Sequence, residues 1–192
     1  MAASETSISN MALGRIGAKR INALTDTTQE AIHCRLHYDQ ARDALLQSHP
    51  WAFARTRSEL AEDATAPAFQ WENQFILPSD FLRMIELYNS KYTWAIEGQR
   101  LLTDASTAQI RYVRKVTDAA AFSPLFIEAL ALSLAIRLVM PLSQDKTLRD
   151  QLEGEYGRVL ARVQTVNRAT GEGGDDRQTW QESRASWANT TE

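Results

Sequence analysis

Apolar side chains return every three or four positions near the start of the chain, every second position through its middle, and every three or four again to about residue 166. The first stretch predicts a short helix over 5–16, with Ile8, Met11, Ala12 and Ile16 on one stripe and Gly17 placed to end it. A second helix has the stronger signature. Thr27 as N-cap with Glu30 three residues on reads as a capping box, and Ala31, Cys34, Tyr38, Ala41 and Leu45 repeat at helical spacing. Pro50 forbids helix through its own position and biases His49 toward extended geometry, so this helix should stop at His49 and an aromatic-rich strand should follow.

Through 51–116 the period is that of strands. Ile110 and Tyr112 alternate with Arg111, Val113 and Arg114 as a half-exposed strand would. Residues 75–77 read as an apolar strand, Pro78-Ser79-Asp80 as a turn and 81–84 as a new apolar element. The stretches 84–88 and 92–96 read as paired strands, Glu97-Gly98-Gln99 as a tight turn before Leu101-Leu102, and 61–68 as a polar loop containing Pro67. Helix returns at Ser123-Pro124, where serine can cap and proline sits at the first helical position without losing a hydrogen bond. The stretch 125–140 is apolar nearly all round, so its own domain or a neighbouring subunit must cover it on every side. After Pro141, a last helix starts at Ser143, with Leu148, Leu152, Tyr156, Val159, Val163 and Val166 on one stripe and Arg149 and Glu153 four apart on the charged face. Gly171-Glu172-Gly173-Gly174-Asp175-Asp176 cannot hold helix. The remainder is polar apart from Trp180 and Trp187, and 171–192 is expected to be a flexible tail.

Composition narrows the function classes. The 192 residues, 44% of them hydrophobic, can fill one sizeable core. With 21 basic and 24 acidic residues and a net charge of -3, the chain lacks the broad basic footprint of a protein that grips nucleic acid phosphates. The single Cys34 cannot form an internal disulfide and no paired-cysteine zinc spacing exists, which fits synthesis in a reducing cytoplasm. The polar start, 1–10, lacks an export signal, and the apolar window 125–140 is short for a bilayer and carries Glu128 and Arg137, so a buried helix is expected.

Catalytic frames are missing. There is no Gly-x-Ser-x-Gly, no P-loop, no Gly-x-Gly-x-x-Gly and no His-Glu-x-x-His, and the glycine run at 171–174 follows a helix where a phosphate cradle follows a strand. No catalytic residue and no cofactor are expected, and Asp39, Asp43 and Glu128 need no catalytic role. Glu30, His33 and His37 share one side of the second helix beside Cys34, but zinc needs a fourth ligand that no other cluster offers. Ordinary surface histidines are the favoured reading, and no metal is expected. In the tail, Trp180 and Trp187 read as anchors for a partner, with Arg177 and Arg184 adding ion pairs at the rim of the contact.

Two segments, Leu45-Leu46-Gln47-Ser48-His49-Pro50-Trp51-Ala52-Phe53-Ala54 and Phe75-Ile76-Leu77-Pro78-Ser79-Asp80-Phe81-Leu82-Arg83-Met84, carry a resemblance when set beside Ala12-Leu13-Gly14-Arg15-Ile16-Gly17 and the tryptophan-bearing tail. Their order and spacing resemble the head-to-tail adaptor family of short-tailed bacteriophages, also called tail tubular protein A. The resemblance implies an α+β, mainly α fold: a four-helix bundle (1–50 and 118–170), an inserted small antiparallel β domain (51–117) and an extended portal-docking tail (171–192). It also implies a structural virion protein of the neck, assembled in the host cytoplasm as a homo-oligomeric, dodecameric ring beneath the portal protein. Such a ring joins the capsid to the next tail component (nozzle, tail tubular protein B) and leaves a channel through which DNA passes without specific binding, and no membrane is involved. The subunit contacts are expected on the apolar helix at Leu125, Phe126, Leu130, Leu134 and Leu138, and the tail contacts at Arg177, Trp180, Arg184 and Trp187. The stretch 171–176 is more glycine-rich and acidic than the family pattern. The alternatives are a head-completion adaptor of long-tailed phages, which normally lacks the β insert, or a small metal- or ligand-binding enzyme domain built on the Glu30, His33, His37 trio.

Overall fold

A computed structural model describes residues 3–88 and 91–167. The first helix, α1 (Glu5–Arg15), opens with a reciprocal cap: Ser4 Oγ accepts from the Ser7 backbone N–H at 3.1 Å while the Ser4 N–H donates to Ser7 Oγ at 2.9 Å. Gly17, at φ +69°, takes the left-handed turn that follows. The second helix, α2 (Gln29–Ser48), is capped by Thr28, whose hydroxyl accepts from the Ala31 N–H at 3.3 Å. The cap therefore lies one residue later than Thr27, and the residue three beyond it is Ala31, so Glu30 completes no box. His49 is extended, as Pro50 requires.

Ser123 caps α3 (Pro124–Leu142), accepting from the Phe126 N–H at 3.4 Å with Pro124 in the first turn. This helix runs through Pro141 into its last residue. A turn with Gln144 at φ +55° separates it from α4 (Lys146–Asn167), which begins later than Ser143 because Asp145 supplies the cap, accepting from the Leu148 N–H at 3.0 Å. The Arg149–Glu153 pair forms at 2.9 Å.

The central helix is α3, packed against α1, α2 and α4. It is long and apolar enough to cross a membrane by length and composition, yet 56% of that stretch is buried inside the chain. Phe126, Leu130, Leu134 and Leu138 have no exposed surface at all, so the expectation that they face a neighbouring subunit is corrected: α1, α2 and α4 already cover them. Leu125 alone of the five is half-buried. Met11, expected on the packed stripe of α1, is 44% exposed.

Among the described residues, six strands lie between α2 and α3 in two antiparallel three-stranded sheets: β1 (Arg55–Leu60), β2 (Asn73–Ile76), β3 (Phe81–Leu87), β4 (Trp94–Glu97), β5 (Arg100–Thr103) and β6 (Ala108–Arg114). The orders are β1-β6-β3 and β2-β5-β4. The expected pairing of 84–88 with 92–96 does not occur, since β3 and β4 belong to different sheets. Gly98, at φ +58°, closes a hairpin that gives β4 to β5, and the longer β6 takes β3. The two sheets face each other across a small core of Leu60, Phe75, Leu77, Met84, Leu87, Leu101, Ala108, Ile110 and Tyr112. Past Leu60 the chain leaves the first sheet and bridges to the second at Glu62 and Phe75. The fold is α+β.

The helical core and the strands meet at the ends of the inserted block. Trp51 is 3% exposed, its Nε1 donates to the Leu45 carbonyl at 2.9 Å, and its ring meets Phe126 edge-on at 4.9 Å. Phe53 packs on Phe126 at 5.0 Å and on Phe122 at 5.7 Å. Entry and exit of the block are thus closed by one aromatic cluster, where edge-to-face pairs add to area burial. Trp51→Ala is expected to cost about 3–5 kcal/mol, the range for emptying a buried aromatic site, and Trp51→Phe distinctly less because a ring remains against Phe126. Urea denaturation of both variants checks this.

Candidate functional site

Period-two chemistry on β1 and β6 lays charged side chains in rows across one face of the first sheet. Arg57 stands directly opposite Arg111, and Arg111 opposite Glu86. In the neighbouring row Glu59 stands opposite Gln109, and the Tyr88 N–H donates to the Gln109 carbonyl at 2.8 Å. These residues, with Ser58 and Ile110, line a groove of about 420 Å³. On the helix side of it, Arg55 and Arg83 both stand opposite Val113, itself part of the helical core.

The face therefore carries four arginines against two glutamates in a chain whose net charge is -3. Like charges directly opposite one another destabilise a ladder unless something compensates them. Glu86 does so for Arg111, at 2.8 Å. Gln109 Nε2 donates to the Glu59 carboxylate at 3.1 Å, and Arg83 Nη1 donates to the carbonyls of Gln47 and Ser48 at 3.2 and 3.1 Å, at the C-terminal end of α2. Arg57 is exposed and makes no ion pair among the described residues. Tyr88, at the rim, is 79% exposed. A planar guanidinium beside an open aromatic ring suits a carboxylate or another planar anion on an extended segment.

A second charged cluster holds the sheet to the helices. Arg42 is buried and donates from Nε to Asp43 and from Nη1 to Asp39, both at 2.8 Å, and Lys115 reaches Asp43 at 2.8 Å. Burial pushes the Asp43 carboxyl up, but the bonds from Arg42 and Lys115 outweigh it and hold the group below the usual carboxylate range. At the same end of the sheet, Tyr112 Oη donates to Asp80 at 3.0 Å, and burial with that contact pushes the phenol up to about 12. Asp80 belongs to the expected Pro-Ser-Asp turn, and its carbonyl also accepts from the Lys115 N–H at 2.7 Å.

The trio Glu30, His33 and His37 is not assembled: among the described residues no three His, Cys, Asp or Glu side chains gather closely enough to hold a metal ion. Instead His33 and His37 lie nearly parallel, centroids 6.5 Å apart, with Arg137 of α3 close enough to act on His37. Burial lowers the His37 pKa, and His33 and Arg137 lower it further. Cys34 is buried, which pushes its thiol up to about 11 and keeps it protonated and unreactive near neutrality. Arg177, Trp180, Arg184 and Trp187 lie outside the described residues.

Sequence reasoning singled out none of Arg57, Glu59, Glu86 or Tyr88. A signal was present in Arg55-Thr56-Arg57-Ser58-Glu59, where charge falls on every second residue just after the Pro50 break. No protein-family model matches the chain, and no curated protein matches it.

The His37 shift fixes the sign of a pH effect. Its pKa in the fold lies below the ordinary 6.5, so between that value and the lower one the unfolded chain binds the extra proton. The contribution is fully present above about pH 6.5 and is lost as pH falls through the window. His37→Gln should therefore flatten the drop in Tm between about pH 7.5 and pH 5.5, measured by calorimetry on both chains.

Proposed function

We propose that the protein is a head-to-tail adaptor of a short-tailed bacteriophage, a structural ring subunit that joins the portal protein to the next tail component around a DNA channel. In this reading the four helices form the bundle that builds the ring wall, and the β block projects toward the following tail protein. The observation that carries it is the meeting of the two segments on which the family resemblance rests. Gln47 Nε2 donates to the Leu82 carbonyl at 3.4 Å, Arg83 donates to the carbonyls of Gln47 and Ser48, and Trp51 anchors the same corner. A pattern split between residues 45–54 and 75–84 thus has one physical purpose, the seating of the β block on the helical layer. The insert of six strands also favours the short-tailed over the long-tailed adaptor.

A ring contact cannot draw on Phe126, Leu130, Leu134 or Leu138. Ile32 and Leu36, one turn apart on α2 and 37% and 67% exposed, are apolar side chains available to a neighbouring subunit. The modest negative charge suits a channel in which DNA must slide, because strong phosphate binding would arrest it.

Co-sedimentation with purified portal rings of the same virus, read by mass and negative-stain imaging, tests the proposal. A saturating complex bearing a new collar is expected, and absence of binding at micromolar protein overturns it. Truncation after Thr170 is expected to preserve the fold, by circular dichroism, and to abolish the collar.

A further inference from the structure

The first sheet presents an arginine-bearing groove, and the C-terminal segment carries an acidic run at Glu172, Asp175 and Asp176. We propose that the segment 172–180 of the same chain docks in the groove, its carboxylates against Arg57 and Arg111 and Trp180 against Tyr88. The proposal concerns the isolated protein and does not depend on the adaptor reading.

Charge is the first argument. The sheet face carries an excess of arginine, and Arg57 makes no ion pair among the described residues, whereas Glu172, Asp175 and Asp176 concentrate negative charge within five residues. A carboxylate entering beside Arg57 relieves the opposition of its guanidinium to that of Arg111 directly across the ladder.

Position is the second. The connection at 143–145 turns α4 back along α3, against which it packs. Packed along α3 after that turn, α4 runs back toward the start of α3, where Phe126 belongs to the aromatic cluster on which the β block sits. Arg57 is two residues, about 7 Å, along β1 from the Arg55 end that joins this cluster. From Asn167 the chain reaches Glu172 in five residues and Asp176 in nine, spans of up to about 17 and 30 Å. The acidic run thus comes within reach of the groove, and the three glycines of 171–174 let the backbone approach a sheet face closely.

Aromatic complementarity is the third. Tyr88 offers an open ring at the groove rim, and Trp180 follows the acidic run by four residues, a spacing that extended chain covers in about 13 Å.

The test uses the full chain, ¹⁵N-labelled, in low salt with no other protein present. The variants are Arg57→Glu, the tail variant Asp175→Asn with Asp176→Asn, and Trp180→Phe to assign the indole signal. Each charge variant is expected to move the Trp180 indole resonance to one common position, and to speed amide exchange across 172–180 about fivefold, the size expected of partly exposed ion pairs. High salt should do the same to the unaltered chain. An indole resonance that is identical in all three charge states overturns the proposal. So does a signal that changes with protein concentration, which would place the segment on a second copy. The tail variant leaves the packed cores untouched, so a folding defect in Arg57→Glu could not mask either result.

Discussion

Everything distal to the helices in this protein depends on four rings: Trp51 and Phe53 where the chain enters the β block, Phe122 and Phe126 where it leaves. An insertion of 75 residues between α2 and α3 must bring its ends together, and the entropy of doing so rises only slowly with the length inserted. A compact aromatic cluster, with one ring hydrogen-bonded to the last turns of α2, supplies that closure. With the ends fixed, β1 and β6 leave and return side by side, and their pairing from Arg55 and Val113 to Leu60 and Ala108 sets the register of the first sheet. The second sheet then hangs from the first through the bridge at Glu62 and the small shared core.

Polar contacts around the cluster make the seating directional. Lys115 to Asp43, Arg83 to the end of α2, and Asp80 to Tyr112 and Lys115 each join a strand terminus to a different point. Arg42 is the most costly of these groups to place, since it lies buried, and its two aspartates are what make the position tolerable. None of these contacts is large in isolation, and together they specify one orientation where apolar packing alone would allow several.

The helices were legible in the chain because caps and helical spacing are local properties: Ser123-Pro124 and the His49-Pro50 stop appear where the residues place them. Strand pairing was not, because 84–88 and 92–96 both look like half-buried strands and nothing local says that each prefers a different partner. The all-apolar character of α3 told that it must be covered, but could not say by what, and its own neighbours cover Phe126, Leu130, Leu134 and Leu138. The arginine face was missed for a related reason. Its residues are spread over three strands, and only the ladder makes Arg57, Arg111 and Glu86 a row.

The joining of both ends of the β block at one corner also governs how the molecule carries load. A force drawing the block away from the helices would pull on β1 and β6 from adjacent ends and in the same direction. Their ladder would then bear little shear, and tension would run in parallel along two strands into the aromatic corner and the start of α3. Rigidity of the sheets and strength of attachment are thereby separate quantities in this fold, set by different residues and free to vary independently.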